Sequence, residues 1–174
     1  MYNNNTLYNR GTVINDLKKN LKYLVTACPN EIGKDKYINT LICNNVGYLV
    51  KLCEDKEIDN YPFDSALYDQ YNIEFHNLSF EDGCCPSEEI IEKWYQICMD
   101  AEKKNKCIAV HCKSGLGRAP SLVALSMIKN GADNIQAIEH IRKNIKGSFN
   151  SIQLAYIMQF SNKGNIRNCG CSIM

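Results

Sequence analysis

The sequence predicts an α/β domain in which helices flank a central sheet. Short apolar segments bounded by turn residues, which are typical of strands, occur in the chain up to Cys112. The patterns after Cys112 are helical. Strands followed by a helical tail favour a sheet that is covered by helices. Because strands and helices alternate irregularly, the pattern does not indicate a doubly wound fold.

The length of 174 residues fits one domain with a core of its own. We expect a flexible arm over residues 1–10, a folded domain over residues 11–160 and a flexible tail over residues 161–174. The formal charge of +1 argues against nucleic-acid binding. The N-terminus lacks the apolar core of a signal peptide, and no stretch reaches the roughly 18 apolar residues of a membrane span, so we expect an intracellular protein.

The predicted strands are short apolar runs bounded by turn residues. They cover Tyr23–Thr26, Gly47–Cys53, Ile73–Leu78 and Cys107–His111. A helix over Asp35–Asn44 is predicted before the second strand. A longer helix is predicted over Ser87–Lys104, because Ser87 can cap it and one face carries an apolar stripe. The stripe consists of Ile90, Ile91, Trp94, Ile97, Cys98 and Ala101.

Further helices are predicted after Cys112. One begins near Arg118, where an apolar run follows the loop. The others begin at residue pairs that resemble capping boxes, in which each side chain satisfies a backbone N–H group of the other residue. These pairs are Asp133 with Gln136 and Asn150 with Gln153.

Ten cysteines would suit a small secreted disulfide scaffold, but this chain can form its own core and shows no secretion signal. Most of the cysteines lie in apolar runs, where buried thiols behave as small hydrophobic side chains. The predicted structural thiols are Cys28, Cys43, Cys98 and Cys107. No metal site is predicted, because the spacings of Cys84–Cys85 and Cys169–Cys171 do not suit zinc and the chain has only three histidines.

The segment HCKSGLGR, residues 111–118, joins a predicted strand to a predicted helix. Such a loop points successive backbone N–H groups inward and adds the positive end of the helix dipole, which makes a cradle for an anion. Glycines in the loop allow close approaches that side chains would block. The predicted phosphate-binding residues are Lys113, Ser114, Gly115, Leu116, Gly117 and Arg118.

Cys112 and Arg118 stand at the two ends of this loop. The positive field favours the thiolate of Cys112, which makes it a candidate nucleophile for phosphorus. The guanidinium of Arg118 can hold two phosphate oxygens. We expect His111 to orient the loop by hydrogen bonding. A Walker loop is excluded because Gly-Lys-Ser/Thr is absent, and G-x-G alone is too weak for a dinucleotide site.

A cysteine phosphatase also needs a proton donor for the leaving group. Upstream of the loop, the segment HNLSFEDGCCPS carries an acidic pair beside a turn at Gly83. Asp82 is the predicted general acid, and then general base, with Glu81 as the second candidate. Sulfur transfer by a rhodanese-like cysteine loop is an alternative, but that reaction does not call for the Asp82 loop.

Several motifs together resemble the phosphatase of regenerating liver family, in the dual-specificity branch of the cysteine-dependent protein tyrosine phosphatases. They are VHCKSGLGRAP, FEDG with the following PS, VKLCE, KGSFNSIQL and the C-terminal Cys-Ser-Ile-Met. The resemblance implies a dual-specificity phosphatase fold with a mostly parallel sheet between helices. It also implies hydrolysis of phosphotyrosine, with phosphoserine and phosphothreonine as further candidates, through a phosphocysteine and without a metal or organic cofactor.

The resemblance carries expectations about single residues. Ala119 stands where other cysteine phosphatases have a hydroxyl that assists thiolate departure, which implies slow turnover. Cys53 matches the family residue that forms a reversible disulfide with the nucleophile, here Cys112. The acid loop lacks the family's usual Trp-Pro before Phe80, and Lys113 adds a charge at the loop. If that charge faces the site, it favours phosphoinositides; a lysine turned to solvent is the alternative.

The C-terminal Cys171-Ser-Ile-Met fits a farnesylation motif, which implies a prenyltransferase as partner and an anchor on the cytoplasmic face of membranes. Since one lipid binds a membrane only marginally, Cys169 palmitoylation or homo-oligomerisation would supply a second signal. The resemblance further implies CBS-domain magnesium transport proteins as partners. Binding of such a partner at the phosphate loop is the alternative to catalysis as the main role.

Overall fold

The computed structural model describes residues 11–30, 33–58 and 65–161. The expected N-terminal arm and almost all of the expected tail lie outside the described residues. The strands are β1 Thr12–Asn15, β2 Lys22–Ala27, β3 Val46–Lys51, β4 Glu74–Asn77 and β5 Cys107–Cys112. The helices are α1 Lys34–Cys43, α2 Ser65–Asp69, α3 Glu88–Lys103, α4 Arg118–Lys129, α5 Asn134–Asn144 and α6 Ser151–Gln159, and a 3-10 turn covers Asp55–Glu57.

The five strands form one sheet in the order β1-β2-β5-β3-β4. β1 is antiparallel to β2, whereas β2, β5, β3 and β4 are parallel to one another. This confirms the prediction of an α/β fold with a mostly parallel sheet. Because parallel strands end at the same edge, the residues that follow β2, β3 and β5 meet at one edge of the sheet.

β5 is the central strand, and all six of its residues are buried. Its alternate side chains enter the two layers of the core, which explains its continuous apolar sequence. Ile108 and Val110 pack with residues of α3, α4, α5 and α6 on one face. Ala109 packs with residues of α1 and α2 on the other face. The helices therefore hold β5, and the loop that follows it, from both sides.

The predicted helix starts are confirmed. The Ser87 side chain accepts a hydrogen bond from the N–H group of Ile90 at the start of α3. Asp133 accepts from the N–H groups of two residues at the start of α5, and Asn150 and Gln153 form a full capping box at α6. Five of the predicted stripe residues of α3 are buried, and Ile90 is partly buried against the core.

Two elements and two thiols differ from the predictions. β1 and the short helix α2 are absent from the predicted elements, because each is too short for its own pattern to stand out. Cys98 and Cys107 are buried as predicted, whereas Cys43 is exposed at the end of α1 and Cys28 is only half-buried beyond β2. Among the described helices, none is long and apolar enough to cross a membrane.

Candidate active site

The loop of residues 111–118 leaves β5 at the carboxyl edge of the sheet and enters α4. Gly115 has a φ of +75°, and a Cβ atom there would lie 3.0 Å from the carbonyl carbon and oxygen of Thr26. Both the backbone angle and the close approach therefore require glycine. This conformation lets the N–H group of Gly115 donate to the Sγ atom of Cys112 at 3.3 Å.

Other backbone bonds fix the loop on its two flanks. The N–H group of Cys28 donates to the carbonyl oxygen of Lys113 at 3.3 Å, and the N–H group of Phe149 donates to that of Leu116 at 2.9 Å. The side chains of Lys113, Ser114 and Leu116 are exposed. The part of the loop that the rest of the fold determines is therefore its backbone.

Arg118 is fully buried, and its terminal nitrogens are held by the protein. Glu57 binds the guanidinium with both carboxylate oxygens, at 3.1 Å from Nη1 and 2.7 Å from Nη2. Nη1 also donates to the carbonyl oxygens of Leu52 at 3.0 Å and Phe80 at 2.8 Å. These partners fix the orientation of a side chain that would otherwise rotate freely.

Asp82 lies at the remaining edge of the guanidinium. Its Oδ1 atom is 3.1 Å from Nε of Arg118, and its side chain is 66% exposed. Among the described residues, Asp82 rather than Glu81 is the acid of this loop that forms an ion pair with Arg118. The structure therefore places the predicted acid next to the predicted phosphate ligand.

Two side chains at the start of α6, that of the N-cap residue Asn150 and that of Gln153, hold the acid loop. The amide Nδ2 of Asn150 donates to the carbonyl oxygen of Gly83 at 2.8 Å, and Nε2 of Gln153 donates to that of Cys84 at 3.3 Å. The same Gln153 amide lies against Gly117, where a Cβ atom would approach its Oε1 to 3.1 Å. The start of α6 therefore links the Asp82 loop to the phosphate loop.

Cys53 lies beyond β3, the neighbour of β5, and is buried together with Cys112. The Sγ atoms of Cys53 and Cys28 share a hydrogen bond, which is the main cause of a raised pKa for Cys53 and a lowered pKa for Cys28. Burial lowers the pKa of the His111 imidazole, and the neighbouring Cys53 thiol opposes this shift. The role of the His111 side chain in orienting the loop stays a prediction. The backbone carbonyl oxygen of His111 accepts a hydrogen bond from the N–H group of Leu52 at 3.0 Å.

Comparisons with known proteins show the family to which this chain belongs. Residues 27–132 match a family model described as "Polymorphic toxin system, DSP-PTPase phosphatase". The PRL-1 phosphatase of Drosophila melanogaster is 34% identical over 152 residues, which cover 86% of this chain and 83% of the fly protein. The chain belongs to the phosphatase of regenerating liver (PRL) family. It is a protein tyrosine phosphatase of the dual-specificity type.

Other PRL relatives and solved structures extend the comparison. Protein tyrosine phosphatase type IVA 2 of Mus musculus is 32% identical, with 91% of this chain and 93% of the mouse protein covered. A protein tyrosine phosphatase structure from Leishmania major has a TM-score of 0.75 at 27% identity and covers 88% of this chain and 99% of its own. Kinase associated phosphatase has a TM-score of 0.77 at 20% identity, covers 91% of this chain and 97% of its own, and shares the fold.

The sequence did not predict the residues that position the site. Glu57 lies in a short stretch with several acids, Glu54, Asp55 and Glu57, and nothing in their spacing shows which one reaches Arg118. Asn150 and Gln153 were predicted as a helix cap, which they are, but not as a support for the acid loop. The KGSFNSIQL motif was the available signal, since it marked this segment as part of the family resemblance.

Proposed function

We propose that this chain hydrolyses phosphotyrosine through a phosphocysteine intermediate. Cys112 is the nucleophile, Asp82 is the general acid and then base, and Arg118 with the backbone amides of Lys113–Arg118 binds the phosphate. The observation that supports these roles most strongly is the placement of Asp82 Oδ1 at 3.1 Å from Nε of an Arg118 whose other nitrogens Glu57 holds. An acid, a cation and a thiol thereby converge on one loop.

In the first step the Cys112 thiolate attacks phosphorus, and the bond from phosphorus to the phenolic oxygen breaks. The loop amides and Arg118 stabilise the charge on the equatorial oxygens. Because Glu57 and two carbonyls occupy the terminal nitrogens, we expect the phosphate to bind along the Nε edge of Arg118 and to replace Asp82 there. Asp82 is then free to place a proton on the leaving oxygen.

In the second step Asp82 takes a proton from the water that attacks the phosphocysteine, and the thiolate of Cys112 leaves. Ala119, which follows Arg118 and is fully buried, offers no hydroxyl to the departing sulfur. We therefore expect the second step to be slow and the phosphoenzyme to accumulate.

Phosphate release from a phosphotyrosine peptide tests the roles of the two acids. Asp82→Asn keeps the size of the side chain but cannot donate the proton, so we expect kcat to fall by about 10²–10⁴-fold. Glu81→Gln, the matched control, should retain activity, and Cys112→Ser should have none. A large loss in Glu81→Gln with none in Asp82→Asn would assign the acid to Glu81. A phosphoinositide panel in the same assay tests the alternative substrate class.

A second candidate function is the binding of a CBS-domain magnesium transport protein at the phosphate loop. It is favoured by Ala119, since slow turnover suits a docking surface. Asp82→Ala separates the two roles: catalysis predicts lost turnover, while docking predicts that binding of the transport protein persists. If the transport protein binds neither the wild type nor Asp82→Ala, docking is excluded.

Reversible oxidation is proposed for the same site. Cys53 follows β3 and Cys112 ends β5, and these two strands are parallel neighbours in the sheet. Peroxide would convert the Cys112 thiolate to a sulfenic acid. The Cys53 thiol would then attack this sulfenic acid, with loss of water, to form the disulfide. Peptide mapping by mass spectrometry of peroxide-treated protein should find a Cys53–Cys112 disulfide. Its absence would exclude the switch.

We further propose farnesylation at Cys171 and location on the cytoplasmic face of membranes. Both Cys171 and Cys169, a candidate for palmitoylation, lie outside the described residues, so the sequence motif alone supports this proposal. A homo-oligomer would serve equally as the second membrane signal. Cys171→Ser should move the protein to the soluble fraction, and a retained membrane fraction would contradict the anchor.

A further inference from the structure

Cys28, Cys53 and His111 form a cluster next to the phosphate loop. Their two Sγ atoms and one ring nitrogen all lie within 4.8 Å of one another. Cys53 and His111 are buried and Cys28 is half-buried, so Cys28 lies on the side from which a small solute can enter. Cys28 has no part in the proposed phosphate chemistry.

We propose that Cys28, Cys53 and His111 bind a thiophilic divalent cation, Zn²⁺, as a Cys₂His site with water in the fourth position. Thiolate sulfur and imidazole nitrogen are the ligands that zinc prefers. Zinc bonds of about 2.3 Å to sulfur and about 2.0 Å to nitrogen place tetrahedral ligand atoms roughly 3.5–3.8 Å apart. Ligand atoms that already lie within 4.8 Å reach this geometry by small side-chain rotations.

The surrounding charges are compatible with a cation. Two thiolates would balance the charge of Zn²⁺, and the thiol protons would pass to solvent on binding. The nearby basic side chains have carboxylate partners of their own. Lys51 pairs with Asp55, and Arg118 pairs with Glu57 at 2.7 Å. The net field at the cluster is therefore weaker than two isolated cations would produce.

The sheet brings the ligands together, which explains why no cysteine spacing signals the site. β5 lies between β2 and β3, and the three ligands come from the carboxyl ends of these parallel strands. A bound cation would also reach the phosphate loop, because the N–H group of Cys28 donates to the carbonyl oxygen of Lys113. If the proposed function holds, zinc would withdraw Cys53 from the disulfide with Cys112.

The test is a Co²⁺ titration of the full chain, stripped of metal and kept in a phosphine reductant. We expect one Co²⁺ per chain, with thiolate-to-cobalt charge-transfer absorption, the visible bands of a tetrahedral site and displacement by Zn²⁺. Cys28→Ser and Cys53→Ser should each weaken Co²⁺ binding at least about tenfold and reduce the charge-transfer band. Cys43→Ser, which changes an exposed cysteine on α1, is the matched control and should bind as wild type.

Cys112→Ser distinguishes this site from the phosphate chemistry. It should bind Co²⁺ as wild type although it has no phosphatase activity, so loss of activity and loss of the cation site are read separately. The proposal is overturned if wild type shows no charge-transfer band, if Cys28→Ser binds as wild type, or if Cys112→Ser loses the site. Thermal melting without metal checks the fold, and Cys28→Ala replaces Cys28→Ser, under the same criteria, if the serine variant does not fold.

Discussion

Arg118 places a permanent positive charge where the solvent does not reach it. A buried charge is stable only when it is paired and hydrogen-bonded, and Arg118 achieves this through Glu57 and two main-chain carbonyl oxygens. The same contacts fix the direction of the guanidinium before substrate binds. Stability and function therefore depend on the same carboxylate at this residue.

Glu57→Gln should lower both the stability of the fold and the catalytic activity. It removes the charge of the partner but keeps its size, so we expect the free energy of unfolding to fall by about 3 kcal/mol, the lower end for a broken buried ion pair. We expect kcat/KM to fall by about 10²-fold, because a misplaced ligand stabilises the transition state poorly. Urea unfolding and phosphate release measure the two effects.

The matched control is Glu54→Gln, which removes a carboxylate three residues away whose partner is the exposed Lys56, at 2.9 Å. Because the side chain of Lys56 is 75% exposed and that of Glu54 is 34% exposed, this ion pair contributes less to stability than the buried pair of Arg118 and Glu57. Equal effects of the two substitutions on unfolding and on kcat/KM would contradict the role given to Glu57.

Ala119→Ser should raise the steady-state rate. A hydroxyl at this position can donate to the departing thiolate, and one well-placed donor contributes about 10²–10³-fold in comparable sites. We expect an increase of at least about tenfold and less accumulated phosphoenzyme. Rapid-mixing measurement of burst and steady state tests this, and an unchanged steady-state rate would show that thiolate departure is not limiting.

At the residue scale, the sequence predicted Cys112, Asp82 and Arg118 because a motif and a local turn carry them. Glu57 could not be predicted in the same way. The path of the chain after β3 brings Glu57 to Arg118, which is 61 residues away in the sequence. The neighbouring acids Glu54 and Asp55 lie in the same short stretch, so the local sequence does not distinguish Glu57 from them.

Among the elements, α6 has two structural roles. Its first residues cap the helix and also hold the acid loop through Gly83 and Cys84. Because Asp82 lies in this loop, the position of the proposed general acid depends on a helix that carries none of the proposed catalytic groups.

Asn150→Ala and Asp133→Ala separate the two roles of the α6 cap. Each substitution removes the N-cap of one helix, α6 or α5, so each should lower the free energy of unfolding by about 1 kcal/mol. Only Asn150→Ala also releases Gly83, so we expect kcat to fall at least about fivefold in this variant alone. Equal kcat values in the two variants would show that the acid loop does not need α6.

The predicted elements differ in how clearly the sequence marks them. α3 has a capping serine and an apolar stripe, and it was predicted to within one residue at each end. β1 has only four residues and gains its strand conformation from pairing with β2, which is a tertiary effect. Short elements of this kind do not carry enough local information to be predicted.

At the scale of the whole molecule, the central position of β5 determines what surrounds its end. β2 and β3 bring Cys28 and Cys53 to its two sides, and His111 is enclosed between the layers of helices. No local pattern predicts these neighbours, because strand order is set by the packing of the whole sheet.

The burial of His111 should make the stability of the fold sensitive to acid. Burial lowers the pKa of His111, with further lowering by Lys51 and Arg118 and an opposing effect of Cys53. As the pH falls below the ordinary histidine value of about 6.5, the unfolded chain binds a proton that the folded chain does not, so stability is lost. In chelator, urea unfolding between pH 7 and pH 5 should show a loss of up to about 1.4 kcal/mol per pH unit that His111→Asn lacks. The same dependence of the free energy of unfolding on pH in wild type and in His111→Asn would contradict this role of His111.

The most direct test of the proposed mechanism is to trap the phosphoenzyme by rapid acid quench after mixing with a phosphotyrosine peptide. We predict a burst of dephosphorylated tyrosine peptide approaching one equivalent per chain, with phosphate attached to Cys112 in the quenched protein. The burst should be slower in Asp82→Asn and absent in Cys112→Ser. The mechanism would be contradicted if wild type turned over the peptide without phosphate on Cys112. It would also be contradicted if Cys112→Ser turned over the peptide.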